Sequence, residues 1–255
     1  MRPDNAAAIN KLKGTCDGGT ALIVLGGSSG RDYAKLQNEL KPDILLGANG
    51  VNQMIAGLDY WMSIENMNYA AVQAANGIER AQRLMQVFQH STDATKLVHH
   101  LSWPLLKNKD NAIAVNRNGM ELNEMPADFT FREYGLGYLS GAMMQRPQII
   151  GSLRVGTVGL QLLHHAAILG CKNVHTIGFD LCFKGEHHHW YNYPVYEVNR
   201  YWGENMFTHY KELDTLWFWV DTAKYLGRIY PMLVRDGVNW IDHSKGLLEV
   251  EGIAQ

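Results

Sequence analysis

Hydrophobic positions in this chain come in short blocks, broken by glycines and polar turns. Thr20 to Leu25 is one such block, and it ends in the turn Gly26-Gly27-Ser28-Ser29-Gly30. A block of this length bounded by glycines predicts a strand buried on both faces. Asp32 to Leu40 follows as a short helix, stopped before Pro42. Asp43 to Gly47 predicts a second strand ending at Asn49 and Gly50, and Leu58 to Ile64 a third ending at Glu65. From Asn68 to Gln89, Ala71, Ala74, Ile78, Ala81, Met85 and Phe88 recur at steps of three and four, which predicts a long helix. Thr95 to His99 and Asn111 to Val115 read as further strands.

Residues 116–150 carry no period and read as an irregular or helical insertion. Order returns with Val158, Leu162, Ala166 and Leu169, a helical stripe closed by Gly170. Asn173 to Ile177 predicts a strand that runs into Gly178 and Asp180. Beyond an aromatic, histidine-rich loop, Leu213, Leu216, Val220 and Ala223 predict a helix over 209–226. Arg228 to Leu233 and Val238 to Ile241 read as closing strands. Strands alternating with helices argue for an α/β fold, since parallel strands need crossovers. The expected architecture is one Rossmann-like domain over 1–255, a mostly parallel doubly wound sheet with the insertion at about 116–150.

Composition narrows the function classes. Hydrophobic residues make up 46% of the 255 and charged residues 19%, which excludes global disorder. Lys plus Arg is 23 against 25 for Asp plus Glu, a formal net charge of −2. Binding nucleic acid by bulk charge is therefore disfavoured. Cys16, Cys171 and Cys182 show no CxxC spacing and suggest neither zinc nor a disulfide framework. No apolar stretch of about 18 residues predicts a membrane span, and the chain reads as cytoplasmic. Homo-oligomerisation stays open.

In open α/β sheets, ligands bind beyond the carboxyl ends of the strands. The turn from Gly26 through Gly27, Ser28 and Ser29 lies there, with Asn49, Gly50, Glu65, Gly178 and Asp180. The glycine turn can offer backbone N–H groups and two hydroxyls to a phosphate, or be a plain tight turn. It matches neither GxGxxG nor a Walker A loop. Thr157 and Gly159 open a helix and form a second candidate anion cradle, although Thr157 alone also suits a helix cap. Asp180 can bind a ribose, a metal or a substrate hydroxyl. His187, His188 and His189 offer an acid/base imidazole, or a surface loop stacked among Trp190, Tyr191 and Tyr193. A metal there would want further ligands such as Asp180 or Glu186, so no metal site is assigned.

The ordered series of these segments resembles a known superfamily. It is similar to the MptE-like 6-hydroxymethylpterin diphosphokinases and the related bacterial sialyltransferases and flagellar glycosylation factors. Leu25 to Ser29 matches the nucleotide turn without its proline, and Asn49 matches the asparagine after the second strand. Leu58 to Tyr60 matches the Pro-Asp-Tyr segment, with Glu65 where Asp is usual. Gly156 to Gly159 matches the Thr-Ser-Gly helix start, Lys172 to Asp180 the Gly-x-Asp strand, and Asp242-His243-Ser244 the final Asn-x-Ser segment. The resemblance covers about 20–66 and 150–250.

The resemblance implies a transferase that uses a nucleotide-sugar or a nucleoside triphosphate. Its sialyltransferase-like form is a glycosyltransferase with a histidine base, drawn from 187–189 or His243, and no obligatory metal. Its diphosphokinase form would use ATP and Mg²⁺ on a pterin-like alcohol, with Asp180 and Glu65 as carboxylates. A third reading is a non-catalytic nucleotide-binding or structural protein.

Overall fold

The computed structural model describes residues 5–64, 78–90, 92–99, 102–115, 157–184, 187–191, 193–194 and 207–254. The proposed insertion at 116–150, the first part of the helix expected from Asn68, and Glu65 lie outside the described residues.

A seven-stranded sheet organises the chain. Its strands are β1 (Thr20–Val24), β2 (Ile44–Ala48), β3 (Tyr60–Ser63), β4 (Thr95–His99), β5 (Ala112–Val115), β6 (Asn173–Ile177) and β11 (Asn239–Asp242). Between β6 and β11 come two short antiparallel pairs, β7 (His187–His189) with β8 (Tyr193–Pro194), and β9 (Phe207–Tyr210) with β10 (Leu213–Leu216). In space the large sheet runs β11-β6-β1-β2-β3-β4-β5, and every neighbouring pair is parallel. The chain thus winds outward from β1 to β5, then returns to place β6 and β11 on the other side of β1. This is the doubly wound, Rossmann-like α/β arrangement that the block pattern predicts.

The two directions of winding decide which face each helix covers. Right-handed crossovers put helices on opposite faces when the strand order reverses. Helices α1 (Asn5–Asn10), α2 (Tyr33–Leu40), α3 (Ile78–Gln89), α4 (Val158–Leu169), α5 (Trp217–Arg235) and α6 (Leu247–Val250) are described. Ala21, Ile23, Leu46 and Met62 share one core with α4, α5 and α6. Leu22, Val24, Leu45 and Trp61 point the other way and pack with Leu36 of α2 and Phe88 of α3. Adjacent strand residues serve opposite layers because side chains alternate across a sheet. Both faces are covered, which is why these strands read as continuous apolar blocks.

Most predicted elements agree with the structure to within two residues. The stretch 209–235 is the correction. Residues 209–216 belong to the β9–β10 hairpin, and α5 begins only at Trp217. The hairpin turns on Lys211 and Glu212, both at positive φ, as a two-residue turn between twisted strands demands. Neither residue is the glycine or asparagine that would have marked the turn. Leu213 and Leu216 are three apart, a spacing that fits a helix face as well as the ends of a strand. Helix α5 then continues through Pro231 to Arg235, so the strand expected over 228–233 is its last turns.

The sheet register sets the site. Val24 pairs with Ile177, and Thr176 with Asp242, so β1, β6 and β11 end nearly level. Gly178 turns the chain just beyond β6 at φ +79. A Cβ there would strike the backbone carbonyl of Leu25. Gly178→Ala should therefore lose about 2 kcal/mol or more, combining a left-handed backbone with a collision that side-chain motion cannot relieve. Urea unfolding measures this. A loss below about 0.5 kcal/mol would mean that the turn relaxes freely.

Candidate functional site

The glycine turn after β1 has an anion in its grasp already, and that anion is Asp180. Ser29 N–H donates to Asp180 Oδ2 at 3.0 Å, and Lys245 N–H donates to Oδ1 at 3.2 Å. The Ser29 hydroxyl accepts from Gly178 N–H at 3.0 Å, and Gly27 N–H donates to the Gly178 carbonyl at 2.8 Å. A Cβ on Gly27 would collide with the Asp180 carboxylate, so the turn is closed tightly around it. Burial pushes the Asp180 carboxyl above its usual range, and the Ser29 bonds partly oppose that rise.

The aromatic loop covers the same turn from the other side. Trp190 Nε1 donates to the Leu25 carbonyl at 2.9 Å, and Trp190 N–H donates to the Gly26 carbonyl at 3.0 Å. His189 and Tyr191 stack with ring centroids 4.9 Å apart. Side chains at Gly26 and Gly50 would run into them, at 2.7 Å from His189 Nδ1 and 2.6 Å from Tyr191 Cε2. The small residues thus admit this chain's own rings. His187 and His188 lie on β7 beside them as strand backbone.

The remaining sequence candidates fall elsewhere. The Asn49 carbonyl accepts from Trp61 Nε1 at 2.8 Å, with Asn49 at φ +50 opening a turn of 3-10 helix. Thr157 caps α4, its hydroxyl accepting from Leu160 N–H at 3.4 Å. Gly159 lies against the Phe179 ring and Leu25 in the core. Cys182 is a buried thiol pushed up to about 11 by burial first and by Asp180 second, so it is no ready nucleophile. Asp180 was one of two carboxylates expected to hold Mg²⁺, and both its oxygens accept backbone amides. The other, Glu65, lies outside the described residues. Among the described residues, no three His, Cys, Asp or Glu side chains group as a cation site.

An open cavity of about 440 Å³ lies over the ends of β1, β6 and β11. Ser28 and Ser29 line it from the glycine turn, with Arg31, Asp32, Lys35, Leu36 and Glu39 from the segment that continues into α2. Ile177 and Lys184 enter from the β6 side, and His243 and Lys245 from the loop after β11. Four cationic side chains face two anionic ones, in a chain whose net charge is −2. Lys184 Nζ donates to the Lys245 carbonyl, and Arg31 Nε donates to the Ser28 carbonyl at 3.1 Å. These bonds tie Lys184 and Arg31 to the rim and leave further donors on each. The cavity sits where the strand order reverses, the crevice in which α/β sheets take ligands.

Of the predicted site residues, the structure brings Ser28, Ser29 and the alternative base His243 to this cavity. Arg31, Lys35, Lys184 and Lys245 carry no motif and were missed. A usable signal was their placement. Arg31, Lys184 and Lys245 each follow a neighbouring strand end by no more than seven residues.

Beneath the cavity runs a buried polar chain. Trp240 Nε1 donates to the Thr176 hydroxyl at 3.0 Å, and Thr176 donates to Asp242 Oδ1 at 2.6 Å. Ser244 donates to the same oxygen at 2.9 Å and accepts from Phe179 N–H at 2.7 Å. Burial pushes the Asp242 carboxyl up to about 7, against the bonds from Thr176 and Ser244, with the Asp180 charge adding a small further rise.

Because the folded protein holds this proton more tightly than the unfolded chain, its contribution to stability is full below about pH 4. That contribution falls as pH rises through about 7. Asp242→Asn keeps an oxygen to accept from Thr176 and Ser244 but removes the titration. Stability of the variant, measured by urea unfolding from pH 4 to 8, should fall less steeply with pH than that of the wild type. Equal slopes would assign the pH dependence to other groups.

No protein-family model matches the chain, and no curated protein does. Among solved structures, the MAf glycosyltransferase from Magnetospirillum magneticum AMB-1 is similar at 14% identity and a TM-score of 0.46. The match covers 96% of this chain and 37% of that one, so this chain spans well under half the length of the solved structure.

Proposed function

We propose that the chain is a transferase that binds a nucleotide-activated donor through its phosphates in the crevice over β1, β6 and β11. The reading rests on one observation, the cavity at the strand-order reversal lined by Arg31, Lys35, Lys184 and Lys245. Cations fixed around a crevice draw in phosphates and stabilise charge as it develops on a departing one. The phosphates meet these side chains and Ser28, while Asp180 keeps the Ser29 amide of the glycine turn occupied.

The transferred group is a sugar in this reading, and the base is a histidine. Of the candidates, His243 lines the cavity, whereas His189 packs against Gly26 and Tyr191. Burial holds His243 below the usual imidazole range, so it is neutral at pH 7 and able to accept a proton. The acceptor brings the hydroxyl, and the donor phosphate leaves toward the lysines.

A thermal-shift series with CMP, UDP, GDP, ADP and ATP, each with Mg²⁺ or with EDTA, tests the reading. A nucleotide at 100-fold its Kd stabilises the fold by about 2.7 kcal/mol. For a chain of this size that raises Tm by about 5–10 °C. A shift with a monophosphate or diphosphate in EDTA is the expected result. Lys184→Ala and Arg31→Ala should each weaken binding about tenfold, and added salt should weaken the wild type too. A shift confined to ATP with Mg²⁺ would replace sugar transfer by pyrophosphoryl transfer. No shift with any nucleotide would remove the crevice as a nucleotide site.

A further inference from the structure

Two imidazoles meet at the floor of the crevice. His175 lies on β6, one residue before Thr176, and His243 directly follows β11. The ladder places Ile241 beside His175, and His243 N–H donates to the Thr176 carbonyl at 2.8 Å. His175 Nδ1 is 2.9 Å from His243 Nε2, and the rings lie 23° from parallel. At that separation one nitrogen donates and the other accepts. His175 is buried, with 8% of its surface exposed, and the parallel ladder on both sides of β6 holds its backbone. His243 reaches the cavity. Its Nδ1 makes no hydrogen bond among the described residues.

We propose that His175 is a positioning residue that accepts from His243 Nε2–H, fixing the tautomer whose Nδ1 offers a lone pair to an acceptor hydroxyl in the crevice. The inference rests on the transferase reading for the role of that lone pair, but not for the tautomer itself. The charge of the cavity selects between the two arrangements. Arg31, Lys35, Lys184 and Lys245 outnumber Asp32 and Glu39 around it, so its potential favours a lone pair over an N–H pointing in. Burial lowers both imidazoles, and His243 lowers His175 further, so the pair is neutral at pH 7. Glu39 alone works in the other direction on His243.

In the reaction the acceptor O–H bond breaks, and its proton moves to His243 Nδ1. The electron pair stays on the oxygen and forms the bond to the donor carbon. The bond from that carbon to the donor phosphate breaks, and the phosphate leaves with the electrons. His243 becomes an imidazolium whose Nε2–H is still accepted by His175, so the ring does not turn as it charges. The opposite tautomer, with His175 donating, would place an N–H on Nδ1 and leave the crevice without this base.

Imidazole ¹⁵N–¹H spectra of the uniformly labelled full chain at pH 7.5 read the tautomer directly, with signals assigned by His243→Asn and His175→Asn. The expected result is a protonated Nε2 and an unprotonated Nδ1 on His243. His175→Asn retains an acceptor oxygen near the lost Nδ1 and should keep that tautomer. His175→Leu removes the acceptor and should give a mixture, and the Asn variant guards against a folding failure of the Leu one. A protonated Nδ1 in the wild type, or an unchanged tautomer in His175→Leu, overturns the proposal.

Turnover adds a second reading once the nucleotide series has named a donor. His175→Leu should lower kcat about tenfold or more with KM within about twofold, and His175→Asn should recover most of it. Equal loss in both variants would overturn the positioning role. The expected tautomer without any nucleotide shift would overturn the transferase reading and the base, while the pair itself would stand.

Discussion

One buried carboxylate holds the crevice together. Asp180 ties the glycine turn after β1 to the segment after β6 through Ser29, and to the loop after β11 through Lys245. Its own carbonyl accepts from Leu247 N–H at 2.9 Å, which anchors the start of α6. A charge at 1% exposure is costly unless its hydrogen bonds are met, so the two amides are conditions of its burial. Three loops that follow three different strands are thereby fixed by one side chain. The carboxyl ends of β1, β6 and β11 form a single rim as a result.

This arrangement changes what a glycine turn means here. Backbone N–H groups at such a turn attract anions, and the attraction is satisfied internally. Under the transferase reading, an incoming anion finds the Ser29 amide taken and relies on side chains. The rim supplies them as long, solvated cations tethered by carbonyl contacts, Lys184 to Lys245 and Arg31 to Ser28. The aromatic residues complete the division of labour. Trp190 and Tyr191 pack on the turn in the layer of α2, with Trp190 against Tyr33, and the cavity is lined from α2, β6 and the loop after β11.

Much of the fold was legible because burial on both faces leaves a plain trace. Thr95 to His99 and Asn173 to Ile177 were read to the residue, since apolar blocks bounded by turns are what covered parallel strands require. The β9–β10 hairpin was not legible, because Lys211 and Glu212 adopt positive φ without the residues that usually announce it. The site was legible as a place and less so as a set of side chains. Strand ends identified the rim, and Ser28 and Ser29 line the cavity. Sequence order could not show that Asp180 fills the turn, because an internal carboxylate and a bound phosphate ask the same thing of the backbone. The cations left no periodic trace either, and only the closeness of Arg31, Lys184 and Lys245 to strand ends could have marked them.

A stronger signal lay inside the strands. β6 carries His175 and Thr176 in a block otherwise made for a core, and β11 ends in Asp242. A polar group in a strand covered on both faces must find a partner on a neighbouring element, because no water reaches it. Each of these does: His175 meets His243, and Thr176 meets Asp242 and Trp240. For these residues the partners come from a neighbouring strand and the loop after it, where β6 and β11 end level beside the reversal of strand order. Buried polar residues alone do not mark a crevice, since Ser63, Lys96 and His99 interrupt β3 and β4 away from it. What sets β6 and β11 apart is that their polar groups bond to one another at the strand ends, where open α/β sheets take ligands.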